Sequence, residues 1–460
     1  LWAAWQAASR EAAGQSHFVR NGGRFPLCGK GDVNTYALFA EHNRALLGPC
    51  GRAGFIVPTG IATDDSTKEY FGALVAGSQL ASFFSFENEE FVFPSVHHAF
   101  RFALLTIDRS GASSQADLVF FARQTRDLSD DDRHVSLTIG DFATANPNTG
   151  TCPTFRSRRD ADLNLSIYRK AGVLWREGID GGNPWNLRFM AMFHMANDSS
   201  LFLVRSELSA RDVLEADRSE QSEGGLLPLY EGRMVDLFDH RLSSIVVEQE
   251  RTKMRSASSR TLSDGEKLDP ALLPEPRWYL PEGEVRTRLS GRWNRSWMLG
   301  WRDITQSTVQ RTLIASIVPI AAVGDTFLLA MSGETPRLVS CLYASMASFV
   351  VDYSARQKVG GVHLKYHTLK QLPILAPMAY RDTCSWSPAQ FVADWLLPRV
   401  LELTYTAWDL EAFAHDVGHD GPPFRWDPAR RALLRAELDA AFFHLYGLSR
   451  DDTDYILETF

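Results

Sequence analysis

The sequence predicts an α/β chain that turns into a mixed α+β region and ends in helices. Three observations predict it. Helical and strand-like patterns alternate through about the first hundred residues. Beyond residue 110 the alternation gives way to shorter, mixed patterns. After Ser385 the apolar spacing becomes helical. The composition suits a folded chain, with 45% hydrophobic, 23% charged and 11% aromatic residues among 460.

The elements follow in order. Val33 to Leu47 carries Tyr36, Phe39, Ala40, Leu46 and Leu47 at helical spacing, and Gly48-Pro49 supplies the stop. Ala53 to Val57 is a short apolar run ending at Pro58, which predicts a buried parallel strand. Asp65-Ser66 is placed to cap a helix through Tyr70, Phe71, Leu74 and Val75. Leu80 to Phe86 and Phe100 to Ile107 predict two further strands. Leu118 to Ala122 predicts another, followed by a charged loop at Asp127 to Arg133. Arg205 to Gly225 is a charge-rich connector. Arg251 to Lys267, rich in Ser, is either a flexible surface loop or a phosphate-contacting one. Pro336 precedes one long apolar helix, Leu338 to Tyr353, while Pro398 breaks a later helix. Pro428 opens a helix over Leu433 to Leu445. Asn183-Pro-Trp185 is a turn, and no fixed-period repeat is present.

Composition also narrows function. A net charge of −8 means that any nucleic-acid contact must come from local basic patches. Five scattered cysteines without a CxxC favour reduced thiols and a cytoplasmic location, and disfavour a zinc ribbon. No run of 18 apolar residues predicts a membrane span. The chain opens on Leu1 rather than Met and closes on Tyr455-Ile-Leu-Glu-Thr-Phe460, the expectation being an interior piece of a longer protein. Phosphate-loop, zinc-protease, nucleophile-elbow and dinucleotide signatures are missing. His97-His98 would diverge on a strand, and Asp130 to Asp132 suits a solvated turn, so no metal site is expected.

Three segments carry chemistry together. Lys30-Gly-Asp-Val-Asn-Thr-Tyr-Ala-Leu-Phe39 opens a helix. Gly51-Arg-Ala-Gly-Phe-Ile-Val-Pro-Thr-Gly60 is a strand and turn. Phe91-Val-Phe-Pro-Ser-Val96 is an apolar loop before a strand. In this order they resemble the later half of the catalytic domain of gamma-class N6-adenine DNA methyltransferases, of the large type IIG restriction and phage-defence kind. Cys50 departs from that pattern, standing where a glycine is usual. Leu227 to Arg241, Trp301 to Thr305 with Arg311-Thr312 and Ile317-Val-Pro319, Leu369 to Pro373 and Arg435 to Gly447 are similar to later segments of the same enzymes. The family's Gly-rich cofactor loop and its Asn-Pro-Pro-aromatic motif are not found in this sequence. In that family both lie upstream, so the chain alone is not expected to catalyse.

The resemblance implies the C-terminal half of a doubly wound methyltransferase sheet, a target recognition region and C-terminal helices. Its segments would be residues 1–115, 116–245 (a connecting α+β region), 246–380 (specificity) and 381–460 (helical). It implies S-adenosyl-L-methionine as cofactor. Double-stranded DNA and other restriction or defence-system subunits are the implied partners. Phe93, rigidified by Pro94, matches the position that stacks on an everted adenine; on the residues alone it reads instead as a core Phe in an apolar loop. Asn34, Tyr36 and Pro58 match positions around the cofactor and target pocket. By themselves they are a cap, a packing residue and a strand exit.

For sequence reading, residues 277–311 hold seven Arg against three acids, a local +4, with Trp278, Trp293, Trp297 and Trp301 interleaved. Arg286, Arg288, Arg292 and Arg295 are the candidate DNA contacts; a Trp core with solvated Arg between is the alternative. The matching alternative for function is a methylase-derived specificity module that binds DNA without catalysis.

Overall fold

The computed structural model describes residues 1–460 except 32, 112, 205–207, 209–224, 247–257 and 360. The Arg205 to Gly225 connector, except residues 208 and 225, Asp32 and the first part of the Arg251 to Lys267 loop lie outside the described residues. The chain divides into two compact units, Leu1–Arg169 and Lys170–Phe460.

The first unit is built on five strands: β1 (Arg52–Pro58), β2 (Leu80–Glu87), β3 (Arg101–Asp108), β4 (Gln115–Ala122) and β5 (Val135–Thr138). The helices are α1 (Trp2–Asn21), α2 (Thr35–Leu46), α3 (Gly60–Thr63), α4 (Lys68–Ala76), α5 (Ile139–Ala145) and α6 (Arg158–Ala171). The sheet order is β1-β3-β2-β4-β5, so this sheet runs past residue 115. The expected buried parallel strand at Ala53 to Val57 is instead an edge strand, antiparallel to β3 and alternately exposed. The link from β2 to β3 is too poor in helix to carry a crossover, so β3 returns antiparallel between β1 and β2. Because β3 is antiparallel to both, β1 and β2 point the same way, and their carboxyl ends share one edge. Phe71 meets Phe83 and Phe142 edge-on in the core, and the buried Tyr70 hydroxyl donates to the Ala40 carbonyl at 3.1 Å. Asp65 does not cap α4; it pairs with Lys68 at 2.8 Å.

The second unit contains β6 (Leu187–Met190), β7 (Leu203–Val204), β8 (Leu226–Tyr230), β9 (Ser243–Val246), β10 (Ser258–Thr261), β11 (Trp278–Pro281), β12 (Trp297–Arg302), β13 (Ala315–Pro319), β14 (Ala322–Val323) and β15 (Phe327–Ser332). One sheet has the order β13-β12-β15-β6 and is antiparallel throughout; another has the order β14-β8-β11-β7. Met298, Phe327 and Leu329 from the first join Tyr230, Val323 and Leu280 from the second in one apolar core. What is described of the Arg251 to Lys267 loop is ordered: β10 pairs with β9, and Lys267 is buried against Asp239 at 2.6 Å.

Two helix expectations are corrected. Leu338 to Tyr353 is two helices, Pro336–Ala347 and Phe349–Arg356, bent by 53°. Ser348 makes the break: its extended backbone ends the first helix, and its hydroxyl accepts from Val351 N–H to start the next. Pro398 does not break its helix, which runs Val392–Thr404. The burial of Leu396, Val400, Leu401 and Leu403 outweighs one missing main-chain donor. Pro428 does open a helix, Pro428–Tyr446, with the Asp427 carboxylate accepting from Arg430 N–H at 3.0 Å and Gly447 closing it at φ 71°. Asn183 brackets its turn by bonding both the N–H and the carbonyl of Leu187, and Trp185 is fully buried beneath it.

On the Pro428–Tyr446 helix, burial pushes the Asp439 carboxyl up to about 6, while the nearby Arg311 charge and the Phe349 N–H hold it down. The folded chain therefore binds this proton more tightly than the unfolded chain does. That contribution to stability is full below about pH 4 and lost as pH rises through about 6. Asp439→Asn keeps an acceptor for Phe349 and removes the titration. Urea midpoints of the variant are expected to vary less than wild type between pH 4 and pH 7; parallel midpoints would refute the assignment.

Candidate functional site

Phe102 of β3 is the centre of the shared edge. It pairs with Pro58 of β1 on one side and with Phe86 of β2 on the other. Thr59 extends the register, its N–H donating to the Arg101 carbonyl at 3.2 Å and its hydroxyl lying 3.3 Å from the Ser85 hydroxyl. In open α/β sheets, ligands bind outside the carboxyl ends of strands.

The loop after β2 rises from this edge. Residues 89–100 are all exposed, and among them Phe91, Val92, Phe93, Val96 and Phe100 form an apolar surface. Asn88 is only 1% exposed and shapes the loop. Its amide nitrogen donates to the carbonyls of Phe93 (3.1 Å) and Val96 (2.8 Å), while its oxygen accepts from Phe93 N–H at 3.0 Å. Phe91 takes a left-handed φ of 51°, a conformation that non-glycine residues adopt at a cost. Phe93 is 36% exposed, with its ring edge-on to Phe102 at 4.8 Å. Phe102 in turn stacks on Phe86 at 5.1 Å. Phe93 is thus half-supported and half-open, which a sealed core Phe would not be.

Charge surrounds the loop base. The Glu87 carboxylate accepts from Arg101 at 3.1 Å and from Arg123 at 3.2 Å. Glu89 is held below the usual carboxylate range, chiefly by its hydrogen bond with His98. His97 and His98 sit in the loop rather than on a strand, and their rings lie side by side at 4.4 Å instead of diverging. Among the described residues, no group of three His, Cys, Asp or Glu side chains could hold a metal.

Asn34 caps α2, its side-chain oxygen accepting from Tyr36 N–H at 3.5 Å. Asn34 is exposed and Tyr36 half-buried. Burial raises the Tyr36 hydroxyl pKa, and the nearby Asp64 charge adds to it. Asp64 closes α3, the short helix leaving β1. The structure brings Pro58, Phe93 and Pro94 to one edge, while Asn34 stays at the start of α2 and Tyr36 is within the influence of the Asp64 charge after β1. Sequence reading missed Asn88 and Ser85 as groups that fasten this edge. An Asn directly after a strand and ahead of an acidic turn is an available signal for Asn88. Asn88→Ala is expected to free the loop while the first unit stays folded. Protease nicking between residues 88 and 100 should rise several-fold with little change in the overall unfolding midpoint; resistance equal to wild type would remove Asn88 from this role.

The candidate DNA contacts divide. Arg286 is tied to Glu282 one helical turn earlier, at 2.6 Å, though its side chain stays largely exposed. Arg288 clasps the 192–198 turn: it bonds the Met192 carbonyl and Asp198 (2.7 Å) and lies 4.1 Å over Phe193. Arg292 is exposed and has no carboxylate partner among the described residues. Arg295 donates to the Glu334 carbonyl and packs on Trp293 and Trp297 at 5.0 and 5.2 Å. Trp297 and Trp301 are core residues, fully buried, with indole N–H groups bonded to Asp416 and to the Leu364 carbonyl. Arg302 and Arg311 are also committed, to the Val235 carbonyl and to Asp352.

No protein-family profile matches this chain. No curated protein matches it either. Solved structures similar to it include a type IIL restriction-modification enzyme and a type IIG restriction endonuclease. The type IIL enzyme MmeI in complex with DNA matches at 9% identity and TM-score 0.43, over 93% of this chain and 52% of that one. The type IIG restriction endonuclease BpuSI matches at 11% identity and TM-score 0.29, over 97% and 53%. The DrdV–DNA complex matches at 9% identity and TM-score 0.31, over 88% and 39%. The chain spans about half the length of the first two and less of the third. Among the described residues, no single helix is long and apolar enough to cross a membrane.

Proposed function

We propose that this chain serves site-specific methylation of adenine N6 in duplex DNA, within a cytoplasmic restriction-modification or phage-defence system. The observation that carries the reading is Phe93: an aromatic ring held half-open by Asn88 at the carboxyl edge of β1 and β2, followed by Pro94 and resting on Phe102, the register partner of Pro58. An adenine inside a duplex cannot meet a methyl donor, so it is everted at a cost of a few kcal/mol. Stacking on an aromatic face recovers about 1–3 kcal/mol of that. Phe93 would take this stack, and Asn88 would hold the ring at the edge so that no ordering cost falls on the base.

S-adenosyl-L-methionine would supply the methyl group. The exposed amide of Asn34 and the half-buried ring of Tyr36, at the first turn of α2, fit one wall of a site for an adenosyl group. The second unit would contact DNA through Arg286, Arg292 and Arg295, with Arg288 positioning the turn it clasps. Other restriction or defence-system subunits are the further partners proposed.

Methylome sequencing of cells carrying the complete gene is the test. N6-methyladenine at one recurring motif, lost on deletion of the gene, is the expected result. Unmodified adenine with DNA binding retained would overturn methyl transfer and leave the non-catalytic specificity module. Loss of both would sink the reading.

A further inference from the structure

The second unit holds a cavity of about 680 Å³ whose lining includes Arg188, Arg292, Arg295, Asn294, Ser296 and Asp416. Three arginines and one aspartate line it, so its formal charge is +2. Arg188 and Arg292 are exposed and have no carboxylate partner among the described residues. Arg295 is half-buried; desolvation depresses its pKa against the opposing pull of Asp416. Its Nη1 is buried with no acceptor, its other terminal nitrogen being spent on the Glu334 carbonyl. Asp416 is itself occupied by the Trp297 indole N–H at 2.8 Å. The Asn294 amide and Ser296 hydroxyl add neutral donors around the guanidinium groups.

A partly desolvated, under-neutralised arginine cluster is a site for an anion with several acceptor oxygens. A carboxylate offers two such oxygens, whereas a phosphate spreads charge over more and suits the open forks of Arg188 and Arg292 beside the Arg295 charge. The geometry points to a phosphate-binding cavity formed by Arg188, Arg292 and Arg295, with Asp416 as its built-in competitor. Arg188 is the new member: it lies in β6, more than a hundred residues before Arg292, and only the pairing of β6 with β15 brings it there. The phosphate would come from a nucleic-acid backbone or from a free phosphorylated small molecule. Only the first source rests on the DNA-contact part of the proposal above, and neither requires methyl transfer.

The test uses the whole chain without methyl donor. Pyrophosphate is titrated by calorimetry, and a short labelled duplex by anisotropy across salt concentrations. Arg188→Gln and Arg292→Gln are each expected to weaken pyrophosphate about tenfold. Asp416→Asn keeps an acceptor for Trp297 and is expected to tighten pyrophosphate several-fold, a gain that misfolding cannot produce. If Arg188→Gln also weakens the duplex and lowers its salt slope by about one, the phosphate is that of a nucleic-acid backbone. If the duplex is unaffected while pyrophosphate weakens, the ligand is a free phosphorylated molecule. Failure of wild type to bind pyrophosphate, or of Asp416→Asn to tighten it, overturns the proposal. Because methylation is read separately in the methylome, its loss would leave this result standing.

Discussion

Replacing Phe93 with alanine is expected to lower methyl transfer to duplex DNA by roughly 5- to 150-fold in the complete protein, with cofactor affinity unchanged. That range is the 1–3 kcal/mol of one base–aromatic stack expressed as a ratio. The structure makes the experiment clean. The loop is fastened through the main chain at residue 93, where Asn88 bonds both the N–H and the carbonyl. Truncation therefore removes the ring without releasing the loop. Phe93→Tyr keeps the face and should retain most of the activity. Equal turnover of Phe93→Ala and wild type on duplex substrate would exclude the ring from the pocket. A loss confined to cofactor affinity would move its role to the donor side.

Arg241→Met is expected to destabilise the second unit by on the order of 3–5 kcal/mol, the cost of breaking a buried charge network by removing one partner. Arg241 is fully buried, and its guanidinium donates to four carbonyls: Asp269 (2.8 Å), Leu272 (2.9 Å), Lys267 (3.0 Å) and Thr406 (3.0 Å). These acceptors lie on segments far apart in the chain, and no ladder bond replaces the lost donors. Desolvation lowers the Arg241 pKa, and the charges of Asp409 and Asp239 offset it. Neighbouring bonds make the same segment a spine: His240 meets Asp409 at 2.9 Å, and Arg431 donates to the Phe238 carbonyl at 2.8 Å. Arg241→Lys should recover little, since one ammonium cannot span four carbonyls in a fixed fork. The readout is the urea midpoint of the transition assigned to the second unit. A shift no larger than that of an exposed Arg→Met control would show the network to be dispensable.

The legible and the illegible parts differ in physical kind. Strands β2, β3 and β4 were readable because their apolar runs are local. Their pairing was not, since a returning antiparallel strand and a crossover look alike until the link between them is seen to lack a helix. Ser348 and Pro398 show the limit of residue signals. A serine hydroxyl broke a helix that periodicity joined, and packing around Leu396 and Val400 carried a proline that propensity would have made a stop. At the sheet edge, Phe93 and Pro58 stood out by pattern, whereas Asn88 acts through three bonds invisible to any spacing rule. Within the Arg–Trp stretch, local charge and aromatic density did not separate core from surface. Trp297 and Trp301 belong to the interior, Arg302 and Arg311 are half-buried and tied to Val235 and Asp352, and Arg292 finds its neighbour Arg188 only through sheet pairing.

Phe102 touches both halves of the candidate site, beneath the Phe93 ring and between Pro58 and Phe86 in register. Size changes at these four positions are therefore not independent. Homologues that shrink or enlarge the side chain at 93 should carry matching changes at 102 or 86. Libraries that randomise one position alone should yield far fewer stably folded variants than libraries that vary them as a set.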